Sequence, residues 1–346
     1  MRPARTHERR EPTITDRVQA AAFGLASAVL SALPRSLTFP LAEWIGRVAW
    51  FLMLERRRVV RENLACAWPE LPEAERERIA RGCLAHAAAM AADLLTLPRV
   101  ARDVAGHCEV SDESLAVLAS ARARGKGVIL VAGHFGLFES MGIVLGSAGF
   151  PVSFVAKPFD NPLLDDRIRE LRAATGNTTI HKGGAKARVL AALRQGAFTA
   201  VVADQHVTLR DRLWIPFFSL PAATARSLGT LAIESGAPVV PIHAFPLPGG
   251  RCRCEFGPIL EPPRDVAAGD VDGAAESIVR AAIGEIEKAT RRQPSAWLWL
   301  HRRWKVCPDG DRARYPFYTR TETQERQAIV DRWGPQILEP DPEVSE

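Results

Sequence analysis

With 346 residues, 47% of them hydrophobic and 25% charged, the chain can bury a substantial core, which excludes a disordered or low-complexity polymer. The formal charge of +5 belongs to one end: residues 1–61 carry eleven arginines and five acids, a balance of +6 that leaves the other 285 residues at −1. A nucleic-acid partner is therefore not expected, since the region downstream is near neutral. The six cysteines, Cys66, Cys83, Cys108, Cys252, Cys254 and Cys307, show neither metal-ligand spacing nor a disulfide framework. Cys252 and Cys254 share one face of a strand as packed residues, so the expectation is a reducing compartment and no structural metal.

Within the basic end, Val18–Leu33 is a 16-residue run of apolar and small residues between Arg17 and Arg35. It is shorter than the ~20 residues a spanning helix usually needs. A second apolar segment, Leu37–Leu54, carries Trp44, Trp50 and Phe51 and is followed by Glu55-Arg56-Arg57-Arg58. Aromatics and a basic cluster at the end of an apolar helix suit the headgroup zone of an anionic membrane; core helices of a soluble domain are the competing reading. A secretory signal fits poorly, because acids and arginines are mixed through the first 17 residues. After Trp68-Pro69-Glu70-Leu71-Pro72, an acidic start turning apolar predicts a helix over Glu73–Leu97, bounded by Pro72 and Pro98. Residues 1–98 are accordingly read as an N-terminal helical region for membrane attachment and as a lid over the catalytic domain.

From Gly106 the pattern alternates. Helices are predicted at Ser111–Arg124, Leu137–Ser147, Leu163–Ala174, Ala185–Arg194, Ala223–Ser235 and Gly273–Arg292. Strands are predicted at Val128–Ala132, Val152–Ala156, Thr199–Ala203, Val239–His243 and Arg251–Gly257. Such alternation means an α/β domain, residues 99–335, with a mainly parallel central sheet and helices on both faces. The acidic, proline-rich tail, 336–346, is expected to be mobile.

The stretch from Gly127 to Gly146 carries the clearest chemistry. Val128–Ala132 reads as a strand buried on both faces; Gly133 ends it, and His134 follows at the carboxyl end, where open α/β sheets bind ligands. Glu139 lies five residues on. It can reach His134 only if the histidine sits in the turn and the glutamate in the first helical turn, which Gly133 and Gly136 permit. A carboxylate beside an imidazole fixes its tautomer and makes it a general base. Asp204, followed by Gln205, closes the strand Thr199–Ala203, as a second site residue or as a turn cap. Arg169 and Arg172 share a helix face, either solvated or placed to stabilise an oxyanion or hold a phosphate. Lys157–Pro162 forms a rigid loop on the ligand side. Phe217–Thr224 has an exposed-loop composition that could line an acyl channel or pack beneath the loop. In Trp297–Lys305, interface anchoring, phosphate binding and core packing compete.

These residues together resemble the bacterial lipid A biosynthesis acyltransferases, the late lauroyl and myristoyl transferases of the wider lysophospholipid acyltransferase superfamily. The resemblance covers nearly the whole chain: ERRRVVRENL, Trp68-Pro69-Glu70-Leu71, His134 with Glu139 as a His-x4-Asp/Glu motif, DNPLLD at 160–165, Arg172, Ala203-Asp204-Gln205, FFSLPAAT at 217–224 and WLWLHRRWK at 297–305. Ser219 stands where the family commonly has Gly, and Cys307 where an Arg before Pro is usual. The resemblance implies a glycerolipid acyltransferase-like fold, His134 as catalytic base with Glu139 as its partner, and Arg172 and Asp204 as further site residues. It also implies no cofactor, an acyl-carrier protein (ACP) or coenzyme A (CoA) thioester as donor, a membrane lipid acceptor, and a place at the inner membrane with the catalytic domain facing the cytoplasm. Backbone amides from Gly133 to Gly136, Arg172 or Arg169 are the expected oxyanion donors. The alternatives are transfer to phosphatidylinositol mannoside or another lipid, and hydrolysis of the thioester on the same site.

Overall fold

The computed structural model describes residues 10–181, 184–207, 212–263, 267 and 270–333. The acidic tail lies outside them. The chain opens with helices α1 (Ile14–Ala32), α2 (Arg35–Leu52), α3 (Leu54–Ala67) and α4 (Glu73–Leu95), then two short ones, α5 (Leu97–Arg102) and α6 (Val104–His107). Thr13 and Asp16 form a capping box at α1, and Pro72 with Glu73 and Glu75 starts α4, so both helices begin with satisfied or dipole-matched ends.

Next come β1 (Cys108–Val110), α7 (Asp112–Arg122), β2 (Val128–Ala132), α8 (Phe138–Ser147), β3 (Val152–Ala156), α9 (Pro162–Arg172), β4 (Thr178–His181), α10 (Ala185–Arg194) and β5 (Phe198–Val202). A hairpin, β6 (Arg212–Phe217) and β7 (Leu220–Ala225), leads to α11 (Ser227–Ser235), β8 (Val239–Leu247), β9 (Arg251–Phe256) and α12 (Val271–Arg292). Two short strands, β10 (Val306–Cys307) and β11 (Arg320–Thr321), and α13 (Glu322–Trp333) follow.

Seven strands form one sheet in the order β1-β9-β8-β2-β5-β3-β4. Neighbours from β8 through β4 are parallel, while β9 runs antiparallel to β8 and takes β1 with it. All of β2 is buried. Val128, Leu130 and Ala132 join the core under α8, and Ile129 and Val131 join the core of α12 and the tryptophans. Each buried Val, Leu or Ile contributes about 1.5–3 kcal/mol, so β2 is firmly held and residues at its end inherit that rigidity.

Propensity misleads in one place. Ala222–Ala225 does not begin the helix predicted from Ala223; it pairs with β6, Trp214 opposite Ala223, and α11 starts only at Ser227. Alanine favours helix, but burial in a hairpin overrides it. The Phe217–Thr224 stretch is accordingly a hairpin rather than an exposed loop, with Phe217 and Phe218 buried at its turn. The strands β1, β4, β10 and β11, two to four residues long, are too brief to give a periodicity signal; β6 is six residues long with alternating burial and lies outside the predicted strands all the same.

α2 packs along α4, and α1 lies against α9. The DNPLLD stretch makes that second junction: Asn161 caps α9 and donates its side-chain N–H to the Asp16 carbonyl at 3.0 Å, and Arg10 reaches the Asp160 carbonyl at 2.9 Å. The outer faces of α1 and α2 stay apolar. Among the described residues, thirteen of the fifteen large apolar side chains left exposed lie between Ile14 and Leu54. Trp44 and Phe51 are among them, but Trp50 is buried under the guanidinium groups of Arg57 and Arg61. No single helix among the described residues is long and apolar enough to cross a membrane; α2 and α3 pass that test only as a pair, bent by 96°.

Candidate active site

β2 and β5 are parallel neighbours with Ala132 opposite Val202, and Ala203 N–H donates to the Ala132 carbonyl at 3.0 Å. Two residues further, the same register brings His134 and Asp204 together beyond the strand ends. Asp204 Oδ1 lies 2.7 Å from His134 Nδ1. Oδ2 accepts the His134 backbone N–H at 2.7 Å and the Trp297 indole N–H at 2.7 Å. Burial disfavours the Asp204 charge, yet the imidazole's charge and these hydrogen bonds outweigh it and lower the carboxyl's pKa. For His134 burial again works against the charge, while the charge and hydrogen bond of Asp204, then the more distant charge of Glu139, raise its pKa above the ordinary histidine value. An ionised Asp204 therefore assigns the ring proton to Nδ1 and leaves the Nε2 lone pair facing outward. The Gln205 amide nitrogen sits 3.1 Å from Nε2 and donates to it in that tautomer.

The turn carrying the histidine is clamped on both sides. Gly136 N–H donates to Ala296 O at 2.9 Å, Leu298 N–H to His134 O at 3.0 Å, and Leu137 N–H to Ala244 O at 3.1 Å. Gly136 has φ 62°, and a Cβ there would lie 1.6 Å from the Ala244 carbonyl oxygen; one at Gly133 would lie 2.7 Å from Ile286 Cγ2. Both glycines thus serve close approach. The amides of His134 and Gly136 are already engaged, so they do not supply the expected oxyanion hole.

Glu139 occupies the first turn of α8, as the spacing requires, but it does not hold the imidazole. Its carboxylate makes a bidentate pair with Arg172 at the end of α9, Nε to Oε2 at 3.0 Å and Nη2 to Oε1 at 2.7 Å, both side chains 15% exposed. Guanidinium geometry matches a carboxylate two bonds at a time, whereas the imidazole is already met through strand register by Asp204. Arg172 is thereby tied into the site, and Arg169 is not: it pairs with Asp166 on the half-exposed side of the same helix.

A cavity of about 440 Å³ opens beside these groups. His134, Glu139, Arg172, Gln205, His206 and Ser227 line it, and exposed Lys157 stands on the loop after β3; the wall between α8 and the sheet is apolar and includes Leu145, Val152 and Phe154.

The tryptophans and Arg303 of the aromatic-basic stretch resolve into core, while Arg302 and Lys305 stay partly exposed in ion pairs with Glu55 and Glu325. Trp297, Trp299, Trp304 and Arg303 are at most 1% exposed, and Arg303 donates to Ala223 O at 2.8 Å and Thr224 Oγ1 at 2.6 Å. Burial pushes the Arg303 pKa down to about 10. His301 accepts the His206 N–H at 3.1 Å, and burial brings its own pKa down to about 4, so it is neutral at physiological pH. Two functional contacts were missed from sequence. Nothing in the pattern of Trp297 tells an indole that positions Asp204 from one that fills the core, and Gln205 was visible only as the polar residue after a strand-end Asp.

A polar dyad at the strand ends and a lipophilic cavity beside it agree with what similarity to known proteins reveals. The chain is 27% identical to the lipid A biosynthesis lauroyltransferase of Escherichia coli (strain K12), over 82% of this chain and 90% of that protein. It is 26% identical to the lipid A biosynthesis palmitoleoyltransferase of the same organism, over 82% and 90%. A lipid A biosynthesis acyltransferase of Haemophilus influenzae (strain ATCC 51907 / DSM 11121 / KW20 / Rd) is 24% identical over 80% of this chain and 82% of its own length. A family model, bacterial lipid A biosynthesis acyltransferase, matches residues 9–306, so the match takes in the N-terminal helices as well as the site, and the chain belongs to that acyltransferase family.

Proposed function

We propose that this acyltransferase moves a fatty acyl chain from an ACP or CoA thioester to a hydroxyl of a lipid A-type glycolipid, with His134 as general base. The acceptor hydroxyl displaces the Gln205 amide from Nε2 and gives its proton to that nitrogen as its oxygen attacks the thioester carbonyl. Asp204 holds the imidazolium formed. Collapse of the tetrahedral intermediate breaks the C–S bond, and the proton on Nε2 passes to the departing thiolate. Gln205 and Arg172, two of the polar donors that line the cavity, stabilise the oxyanion; loss of one such donor costs ~10²–10³ in rate in other enzymes. Glu139 fixes Arg172 and adds negative potential to the imidazole. Among the described residues no hydroxyl or thiol lies within hydrogen-bond reach of Nε2, which favours direct transfer over an acyl-enzyme.

The acceptor would come from a membrane. The exposed apolar faces of α1 and α2, followed by Arg56–Arg58, suit a helix layer lying in the headgroup zone of an anionic bilayer, with the catalytic domain on the cytoplasmic side of the inner membrane.

The observation that carries this reading is the Asp204–His134 pair at an apolar-walled cavity. The test is incubation of the purified enzyme with a labelled acyl thioester, with and without lipid A precursor. Acceptor-dependent ester formation that disappears in His134→Ala supports it. Equal release of free acid with and without acceptor points to hydrolysis and overturns it.

A further inference from the structure

β1 is the edge strand of the sheet, and its register with β9 places Cys108 opposite Cys252 and Val110 opposite Cys254. Alternate residues of a strand share a face, so Cys252 and Cys254 point the same way. Cys108, 146 residues before Cys254, is delivered to them by strand pairing. That long-range pairing is why the cysteine spacing carried no metal signal. The three sulfurs lie within 4.8 Å of one another, and Cys108 Sγ is 3.1 Å from Cys254 Sγ. All three are free thiols, 0–6% exposed.

Strand register puts the three side chains on adjoining positions of one face, and their sulfurs close to within 4.8 Å of one another, near the spacing that a shared cation needs. A zinc ion takes thiolates at about 2.3 Å, which puts sulfur–sulfur separations near 3.8–4.0 Å. The group reaches that spacing with a shift of under roughly 1 Å at the closest pair, within the range of a cysteine side-chain rotation.

The surroundings supply a second, independent observation. His107, adjacent to Cys108, is fully buried, and among the described residues neither ring nitrogen has a hydrogen-bond partner, although Nε2 lies 3.3 Å from Asp93 Oδ1. Asp93 receives the Ser140 hydroxyl at 2.6 Å on Oδ1 but leaves Oδ2 buried and unpartnered. Arg35 uses Nη1 on the Gly106 carbonyl at 2.8 Å, while its Nη2 is buried with no hydrogen-bond partner. Buried polar groups are nearly always satisfied. Arg35 and His107, joined to the Gly106–His107 turn that leads into Cys108, thus bring a guanidinium and an imidazole with unused N–H capacity to the segment that carries the first thiol, with Asp93 between them and α8.

We propose that Cys108, Cys252 and Cys254 form a three-thiolate site for a soft, thiophilic cation, Cu(I) or Zn(II), which ties the edge strand to the sheet. Three sulfurs without a fourth ligand in the group favour such ions over Mg²⁺ or Ca²⁺, which take oxygen donors. Binding exchanges up to three thiol protons for the ion. Entry needs only local opening of β1, three residues long and paired on one side. The site is remote in kind from the His134 chemistry and does not depend on the proposed reaction.

The test uses the full-length, reduced protein in detergent, titrated with Cu(I) and separately with Zn(II) against a chromophoric chelator of each, with thermal melting alongside. One equivalent of at least one ion should pass from chelator to wild type and raise Tm. Cys108→Ala and Cys254→Ala should each weaken binding by more than ~100-fold, beyond what outer-shell changes typically cost, while Cys66→Ala, outside the group, retains it. Wild type that takes neither ion from its chelator overturns the proposal, whatever the variants do. So does uptake that survives intact in folded Cys108→Ala and Cys254→Ala.

Discussion

The ends of β2 and β5 and the outer faces of α1 and α2 are built on opposite principles. At the strand ends, one carboxylate takes three hydrogen bonds, the histidine turn is clamped by three backbone bonds, and the neighbouring charges are paired. On the helices, Ile14 through Leu54 leave large apolar side chains in the open with nothing among the described residues to cover them. The first region is complete as folded and the second is not. On the proposed function, chemistry that must not drift would sit where the fold closes on itself, and contact with an apolar phase would fall to the exposed helix faces.

The largest expected effect is at the complete region. His134→Ala should lower kcat/KM for acyl transfer by ~10²–10⁴-fold, the range for a general base. Tm should fall without loss of the fold: the imidazole's share of the buried pair is removed, but Asp204 keeps the Trp297 indole and the backbone N–H of residue 134. A folded alanine variant within tenfold of wild type would remove the histidine from the mechanism.

Asp204→Asn comes next, at ~10²-fold or more, since an amide neither stabilises the imidazolium nor dictates its tautomer. The pH profile gives a sharper reading. A base works deprotonated, so activity rises through the pKa of His134, which Asp204 raises; removing that charge should shift the ascending limb to lower pH. Stability has its own signs. The raised His134 pKa contributes stability that is full below the unfolded histidine value and fades as pH climbs through the folded one. The lowered Asp204 pKa contributes stability that is full above the unfolded carboxylate value and fades as pH falls through the folded one. The pair's contribution to Tm should therefore be greatest between the ordinary carboxylate and the ordinary histidine values, decline as pH rises through the raised His134 value, and flatten in Asp204→Asn.

What sequence could and could not reveal follows from the same contrast. β2 and β3 have their predicted ends, and α8 differs by one residue, because an unbroken apolar run and glycine punctuation are local signals. His134 at a strand end was legible for that reason. Asp204 at a neighbouring strand end was legible as a second residue of the same crevice; its direct bond to the imidazole was not, because Glu139 is near in sequence while Asp204 is brought near by sheet register, seventy residues later. The Cys108–Cys254 contact and the Trp297 bond to Asp204 were hidden for the same cause. Phe217–Thr224 failed differently: its composition suits a loop, and only pairing with β6 makes it a buried hairpin.

The helices offer the third test. Leu41, Trp44 and Val48 lie on one exposed face of α2. Replacing all three with Glu should weaken co-sedimentation with anionic vesicles by roughly tenfold or more, while Tm moves little, since exposed substitutions stay within about 0.5 kcal/mol each. Activity on a short-chain, water-soluble acceptor should survive. Unchanged vesicle binding would mean that this face is covered by something other than lipid.

The smallest effect separates the two carboxylates. Glu139 reaches His134 only through space and is bonded to Arg172. Glu139→Gln should therefore move the ascending limb of the pH profile in the same direction as Asp204→Asn but less far. Arg172→Gln should move it the opposite way, because a carboxylate released from its guanidinium adds to the potential that keeps the imidazole protonated. The double variant should lie near Glu139→Gln rather than at the sum, as expected of groups that act as one pair. A limb that shifted as far for Glu139→Gln as for Asp204→Asn would mean that the imidazole answers to Glu139 in the working enzyme. The helix turn would then have to swing its carboxylate away from Arg172 once substrate is bound.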